Sequence, residues 1–324
     1  MNAIDEGTCM PTLESFQPWQ ETLNESQYTL VYYFLAVAGF AMFAHFVRTW
    51  TTRNEIGSRF RPAIIASLCI TVIAALSYMV LIIKFDVGYD AAGGAQRPNA
   101  DAIFSVIPRY FDWTVTVPLL VVELIAVSGL VGAAARRMRT IGIVAAVLMI
   151  FTGYLGQAVL YDGNNNATLW IWGIISTVFF VILYYPVIAA LRATQGVIEG
   201  ETLQSYKLAT YLLMITWVVY PLVYLIQILG NGAGWAVTLQ IAFSVADIVA
   251  KVGFGALIHK VAKLRTAEEV RAGSDEHPES TWINQQLHAS AVQPAIRSEA
   301  EKHAAVAAVG ATPASAGTEV GARR

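Results

Sequence analysis

Charge, cysteine and a cationic excess are all scarce in this 324-residue chain, and each shortage excludes something. Charged residues are 14% of the sequence against 56% hydrophobic ones, and the mean hydropathy is +0.53, too apolar for a soluble domain of this length. With 21 Lys and Arg against 23 Asp and Glu there is no broad basic surface, so nucleic acid is excluded as a partner. Only two cysteines occur, Cys9 in a polar segment and Cys69 in an apolar run; they offer neither a metal-ligand spacing nor an evident disulfide, and no metal site is expected. The first 26 residues lack the basic stretch and apolar core of a secretory signal. They carry Asp5, Glu6, Glu14, Glu21 and Glu25 and are read as a segment of the mature protein.

Long hydrophobic runs are what the chain has. A spanning helix needs about 20 mainly apolar residues, and seven runs qualify, at 27–50, 63–85, 103–131, 140–160, 168–191, 206–229 and 236–262. Arg53, Arg59 and Arg61 follow the first run, and Arg136, Arg137 and Arg139 follow the third, which makes those connections cytoplasmic. Asp86, Asp90, Asp101, Asp162 and a short GNGAG turn mark the opposite face. The expected fold is therefore an all-α membrane protein, a seven-transmembrane-helix bundle with its N-terminus outside and its C-terminus cytoplasmic. It divides into an external segment 1–26, a bundle 27–264 and a disordered cytoplasmic tail 265–324 rich in Ala, Gly and Ser. Such a protein sits multi-pass in the cell membrane, with the lipid bilayer as its surroundings.

A charge at the centre of a spanning helix costs roughly 2.5 to 3.5 kcal/mol on insertion scales, so intramembrane ionisable residues point to function. Lys84 and His45 lie near span ends, where snorkelling to the interface accounts for them. Lys251 lies too deep for that, four residues after Asp247. One reading is a structural ion pair across one helical turn; the other is a lysine whose amine forms a covalent Schiff base. On the third run Asp112, Thr116 and Glu123 fall on one stripe, with Arg109 a turn further out. Asp112 and Glu123 are about 16 Å apart along the axis, too far to share a partner. With Arg109, Asp112 and Asp247 on the outer side of Lys251 and Glu123 on the inner side, the set has the layout of a proton relay. Two carboxylates hold a protonated nitrogen charged, while an isolated glutamate in apolar surroundings keeps its proton at rest.

RYFDWTVTVPLL in the third run, WVVYPLVY in the sixth and DIVAKVGFG in the seventh resemble the signatures of the microbial rhodopsins, over about residues 27–264. The resemblance implies all-trans retinal bound to Lys251 as a protonated Schiff base, Asp112 as primary counterion and proton acceptor, and Asp247 as second counterion. Asp112, Thr116 and Glu123 are similar to the acceptor, threonine and donor set of the proteorhodopsin and xanthorhodopsin group of outward proton pumps, and LMIFTGYLG is similar to the actinorhodopsins. Glu123 is then the proton donor, with Arg109 and Thr116 in the relay. Trp113, Leu120, Met149, Gly153, Ser176, Trp217, Tyr220 and Tyr78 match positions where the family packs retinal, and Leu120 resembles the green-absorbing variants.

The chain departs from the pattern in two places. Ser77 stands where many such pumps have a histidine bonded to the acceptor, and no paired external glutamates are present, so release is assigned to Arg109 and water. In LWIWGIISTVFF, Gly173 stands where bacteriorhodopsin has a tryptophan; it implies either a window for a carotenoid antenna or plain close packing between helices. The implied activity is light-driven outward proton pumping rather than enzyme catalysis, with a homo-oligomer as the expected assembly. The alternative is a sensory rhodopsin signalling to a partner; Glu123 counts against it, because sensory members often lack a carboxylate there.

Overall fold

The computed structural model describes residues 16–105 and 107–273. The expectations on Cys9 and on the tail beyond residue 273 lie outside the described residues. Seven helices form the bundle: α1 (Glu25–Thr51), α2 (Arg61–Val87), α3 (Ile107–Ala126), α4 (Gly132–Tyr154), α5 (Asn166–Gln195), α6 (Gly200–Leu229) and α7 (Ala233–Arg271). All but α3 are apolar and long enough to cross a membrane. The exception carries Arg109, Asp112 and Glu123, all three buried. Large apolar side chains point the other way, with Phe40 74%, Ile215 71% and Leu229 71% exposed. An apolar exterior around a charged interior is the arrangement lipid requires, since unpaired charge cannot face hydrocarbon.

One end of the bundle carries a three-stranded sheet in the order β1-β3-β2, with β1 (Leu23–Asn24), β2 (Tyr89–Ala92) and β3 (Ala95–Pro98) all antiparallel. Gly93 and Gly94 join β2 to β3 at φ +63° and +78°, the left-handed pair that a tight hairpin of this hand demands. Asn24 ends β1 and starts α1, where its side chain accepts from Gln27 N at 2.8 Å while Gln27 Oε1 accepts in turn from Asn24 N at 3.0 Å. This is the sheet end. The loops carrying Arg53 and Arg59 lie at the far end, and α1, α3, α5 and α7 run from the sheet end towards it.

Several boundaries depart from expectation, among them the sixth span, which begins at Gly200 and not at 206. The fourth span begins at Gly132 and not at 140, which puts Arg136, Arg137 and Arg139 on the exposed first turns of α4 instead of in a connection. The third stops at Ala126, short of 131. The disordered tail was expected from 265, yet α7 continues to Arg271. Its last turns are ordered by contacts that composition hides: Arg265 donates to the carbonyls of Val127 (3.0 Å) and Ser128 (2.7 Å) just past α3, and Gly57 N donates to Thr266 Oγ1 at 3.0 Å. Arg265 thereby satisfies backbone acceptors that the end of α3 would otherwise leave open.

Candidate functional site

Lys251 sits on a wide turn. Residues Ile248–Gly253 of α7 form a π-helical segment inside an otherwise α-helical rod, the kind of local widening that aims one side chain off the regular spiral. Lys251 is 2% exposed and its ammonium hydrogen-bonds Asp112 Oδ2; Asp247 Oδ2 lies 3.4 Å away. Arg109, 1% exposed, stands 3.9 Å from Asp247 Oδ2. Two cations and two anions thus meet out of reach of bulk water, and the cluster is neutral. That balance is what makes the group tolerable in a medium where a single unpaired charge costs several kcal/mol.

The two carboxylates are supported unequally. Asp247 accepts from Tyr78 (2.9 Å), Tyr220 (2.6 Å) and the Trp113 indole (3.2 Å) besides its ionic partners. Asp112 holds Lys251 on Oδ2 with Thr116 beside it, and its Oδ1 makes no close hydrogen bond among the described residues. Asp247 is a fixed anion in a cage of donors. Asp112 has an oxygen open to receive a proton. Thr116 is buried beside it, but its hydroxyl donates to the main-chain carbonyl of Asp112 at 2.9 Å.

Arg109 is held by more than its charge. It donates to the Tyr78 hydroxyl at 3.2 Å and to Gln240 Oε1 at 3.0 Å, and its guanidinium lies over the Tyr78 and Phe243 rings at 5.4 and 5.3 Å. Gln240 was not singled out from sequence. A glutamine one helical turn from Phe243, on the face of α7 that holds Asp247, was the available signal. Glu123 is apart from this cluster, 1% exposed, with Oε1 unpartnered among the described residues and Ser67 beside its carboxyl. Ser77 donates to the Pro108 carbonyl at 3.1 Å and so makes no bond to Asp112.

A cavity of about 320 Å³ lies next to the cluster, walled by Trp113, Met149, Gly153, Ser176, Trp217 and Tyr220 among others, almost all of its lining apolar. Tyr78 and Leu120 were expected in that wall and are not part of it. The Tyr78 hydroxyl is drawn to Asp247, and Leu120 is packed in the core at 1% exposure. Gly173 is part of it, and a Cβ there would stand 2.8 Å from Tyr224 Cε1. Beside Gly173 the wall is made of lipid-facing Trp170 (44% exposed), Ile174 (59%) and Leu222 (58%), so the cavity reaches the outer surface between α5 and α6.

The volume and apolar lining suit a polyene of retinal's kind. Trp113 and Tyr220 each line the cavity and donate to Asp247, the partner of Lys251, so these two side chains join the cavity wall to the ion cluster. A buried amine beside an apolar slot, with an unpartnered Asp112 oxygen next to it, fits a covalently held aldehyde.

Comparison with known proteins agrees with this geometry. A family model described as bacteriorhodopsin-like protein matches residues 26–264. Cruxrhodopsin-3 of Haloarcula vallismortis is 32% identical over 235 residues, which cover 70% of this chain and 88% of that protein. The green-light absorbing proteorhodopsin of Gamma-proteobacterium EBAC31A08 is 26% identical over 255 residues, 77% and 92% of the two chains. Among solved structures, xanthorhodopsin, described as a light-driven ion pump with dual chromophore, superposes with a TM-score of 0.69 at 31% identity over 76% of this chain and 98% of that one. A thermophilic rhodopsin superposes with a TM-score of 0.70 at 29% identity, covering 77% and 98%. A multi-pass seven-helix bundle with a lysine buried between two aspartates, matched along its length by these proteins, belongs to the bacteriorhodopsin-like family of microbial rhodopsins.

Proposed function

We propose that this protein is a light-driven pump that moves protons from the far end of the bundle to the sheet end, outward in the orientation expected from its basic loops, with retinal held on Lys251. The observation that carries the reading is the unequal support of the two carboxylates around Lys251. When bound, retinal supplies a photon-driven isomerisation that shifts the Lys251 nitrogen and loosens its hold on its proton. Asp112 takes that proton on Oδ1, which makes no close hydrogen bond among the described residues. Asp247, locked by three donors, stays ionised and steadies Arg109, which faces the sheet end. Glu123, on the far side and shielded from water, then returns a proton to the nitrogen. Pro221 removes a backbone donor within α6 and gives that helix a hinge through which access can change sides.

A proton moved outward against 100 mV costs about 2.3 kcal/mol from the potential alone. The competing reading, a photosensor, leaves a buried carboxylate at 123 without a task. Illumination of vesicles holding the retinal-loaded protein separates the two. Proton movement in the light that stops with a protonophore supports pumping; a coloured vesicle with no proton movement sinks it.

A second chromophore is a separate part of the reading. The relative described as having a dual chromophore prompts it, and the lipid-facing opening beside Gly173 is the physical support. A carotenoid lying against that opening would transfer excitation inward, detected as carotenoid absorption bands in the action spectrum of pumping. An action spectrum following retinal alone, with carotenoid added, rejects it.

A further inference from the structure

The relay above does not explain how Glu123 is refilled, and a second set of buried polar residues lies between it and the far end. His45 and Thr49 on α1, Ser67 on α2 and His259 on α7 are 4%, 0%, 2% and 2% exposed. Near a span end, His45 was expected to snorkel to the interface. It points inward instead, with Nε2 3.4 Å from Thr49 Oγ1. Gly255 lets the helices meet there: a Cβ at 255 would stand 2.8 Å from His45 Nε2 and 3.1 Å from Ser67 Oγ, so bare backbone of α7 faces both polar atoms. Ser67 in turn faces the Glu123 carboxyl.

His259 continues the line towards the far end. Its Nε2 lies 3.1 Å from Thr52 Oγ1, a half-buried hydroxyl at the end of α1, and the charges around it are Arg48, Lys263 and Glu55, the last two paired with each other. Two buried atoms along this line, Glu123 Oε1 and His259 Nδ1, have no hydrogen-bond partner among the described residues. An unsatisfied buried polar atom costs about 1 to 3 kcal/mol, and two on one line make a poor structural device. Bridging water satisfies such atoms and connects them.

We infer that His259, His45 and Ser67, with water between them, form the uptake path that conducts a proton from the far-end solution to Glu123; the inference rests on the pumping reading above. Each imidazole gains a proton on one ring nitrogen and loses one from the other, and the Ser67 hydroxyl accepts and donates in the same way. After one transit the only net change is one solution proton added to the Glu123 carboxylate. The groups conduct and do not touch the reacting nitrogen.

The test uses the full chain loaded with retinal in vesicles, flashed in the presence of a pH-indicator dye. In His45→Leu the first return of a proton to the Lys251 nitrogen keeps the parent rate, because Glu123 is already loaded. Uptake reported by the dye slows by about a hundredfold, the lower range for losing a positioned proton-transfer group. Millimolar imidazole restores it. Ser67→Ala, a minimal change in shape, gives the same pattern where His45→Leu yields no pigment. Uptake at the parent rate in both variants overturns the path, and so does a slowing that imidazole leaves untouched, because that marks a structural role. Failure of the pumping reading itself is seen separately, as absence of light-driven proton movement in the unsubstituted protein, and takes the path with it.

Discussion

Replacing Asp247 by asparagine should damage the protein more than the same change at Asp112, and the structure says by how much. Asp247 accepts from Trp113 and Tyr220 on Oδ1 and from Tyr78 on Oδ2, with Lys251 at 3.4 Å and Arg109 at 3.9 Å also against Oδ2. An asparagine can present its oxygen to the first pair only by turning its NH2 towards Lys251 and Arg109, so a donor then faces two cations. Removing one partner of a buried pair in this way costs about 3 to 5 kcal/mol. Asp112 has one ionic bond to lose, to Lys251, and asparagine keeps an acceptor there, so the cost is about 1.5 to 3 kcal/mol for one charge-assisted bond. At about 2 to 4 °C per kcal/mol for a chain of this size, the denaturation midpoint falls by about 6 to 20 °C in Asp247→Asn and by about 3 to 12 °C in Asp112→Asn. Circular dichroism melts of the two retinal-loaded variants side by side give the ordering. An Asp112→Asn midpoint at or below that of Asp247→Asn refutes the claim that Asp247 is the fixed carboxylate.

Other consequences are checked more simply. Glu123→Gln should leave the visible band within a few nanometres of the parent while flash photolysis shows slow reprotonation of the Lys251 nitrogen at neutral pH; a parent-like rate removes Glu123 as donor. Arg265→Met strips the Val127 and Ser128 carbonyls of their donor and should cost about 1.5 to 3 kcal/mol in stability with the colour unchanged. Gly173→Trp must push Tyr224 aside, since even a Cβ stands 2.8 Å from that ring; we expect energy transfer from an added carotenoid to disappear in the fluorescence excitation spectrum.

The bundle was legible in the sequence because lipid imposes a simple rule, about 20 apolar residues per crossing, and seven runs obeyed it. Lys251, Asp112 and Asp247 were legible because charge in such runs has few explanations, and the structure brings all three together. Long-range pairing was less visible. Nothing local in Leu23 and Asn24 announces that they pair with Gln96 and Ala95, although the Gly93, Gly94 dipeptide does mark a hairpin. The π-helical turn at Lys251 is set by packing and leaves no periodic trace. His45 was misplaced because its distance from the span end was weighed and its face was not. Val31, Leu35, Ala38, Met42, His45 and Thr49 follow one another at three- and four-residue steps, all buried, and that stripe places the imidazole inside. The order of α7 beyond 264 depends on Arg265 finding carbonyls at the end of α3, a tertiary contact that a polar composition conceals.

The central claim is a covalent chromophore on Lys251, and peptide mass mapping after borohydride reduction of the retinal-loaded protein tests it directly. A retinyl adduct on the peptide containing Lys251, and its disappearance along with the visible band in Lys251→Ala, is the predicted result. A coloured protein whose adduct maps to another lysine, or one that carries none, contradicts it.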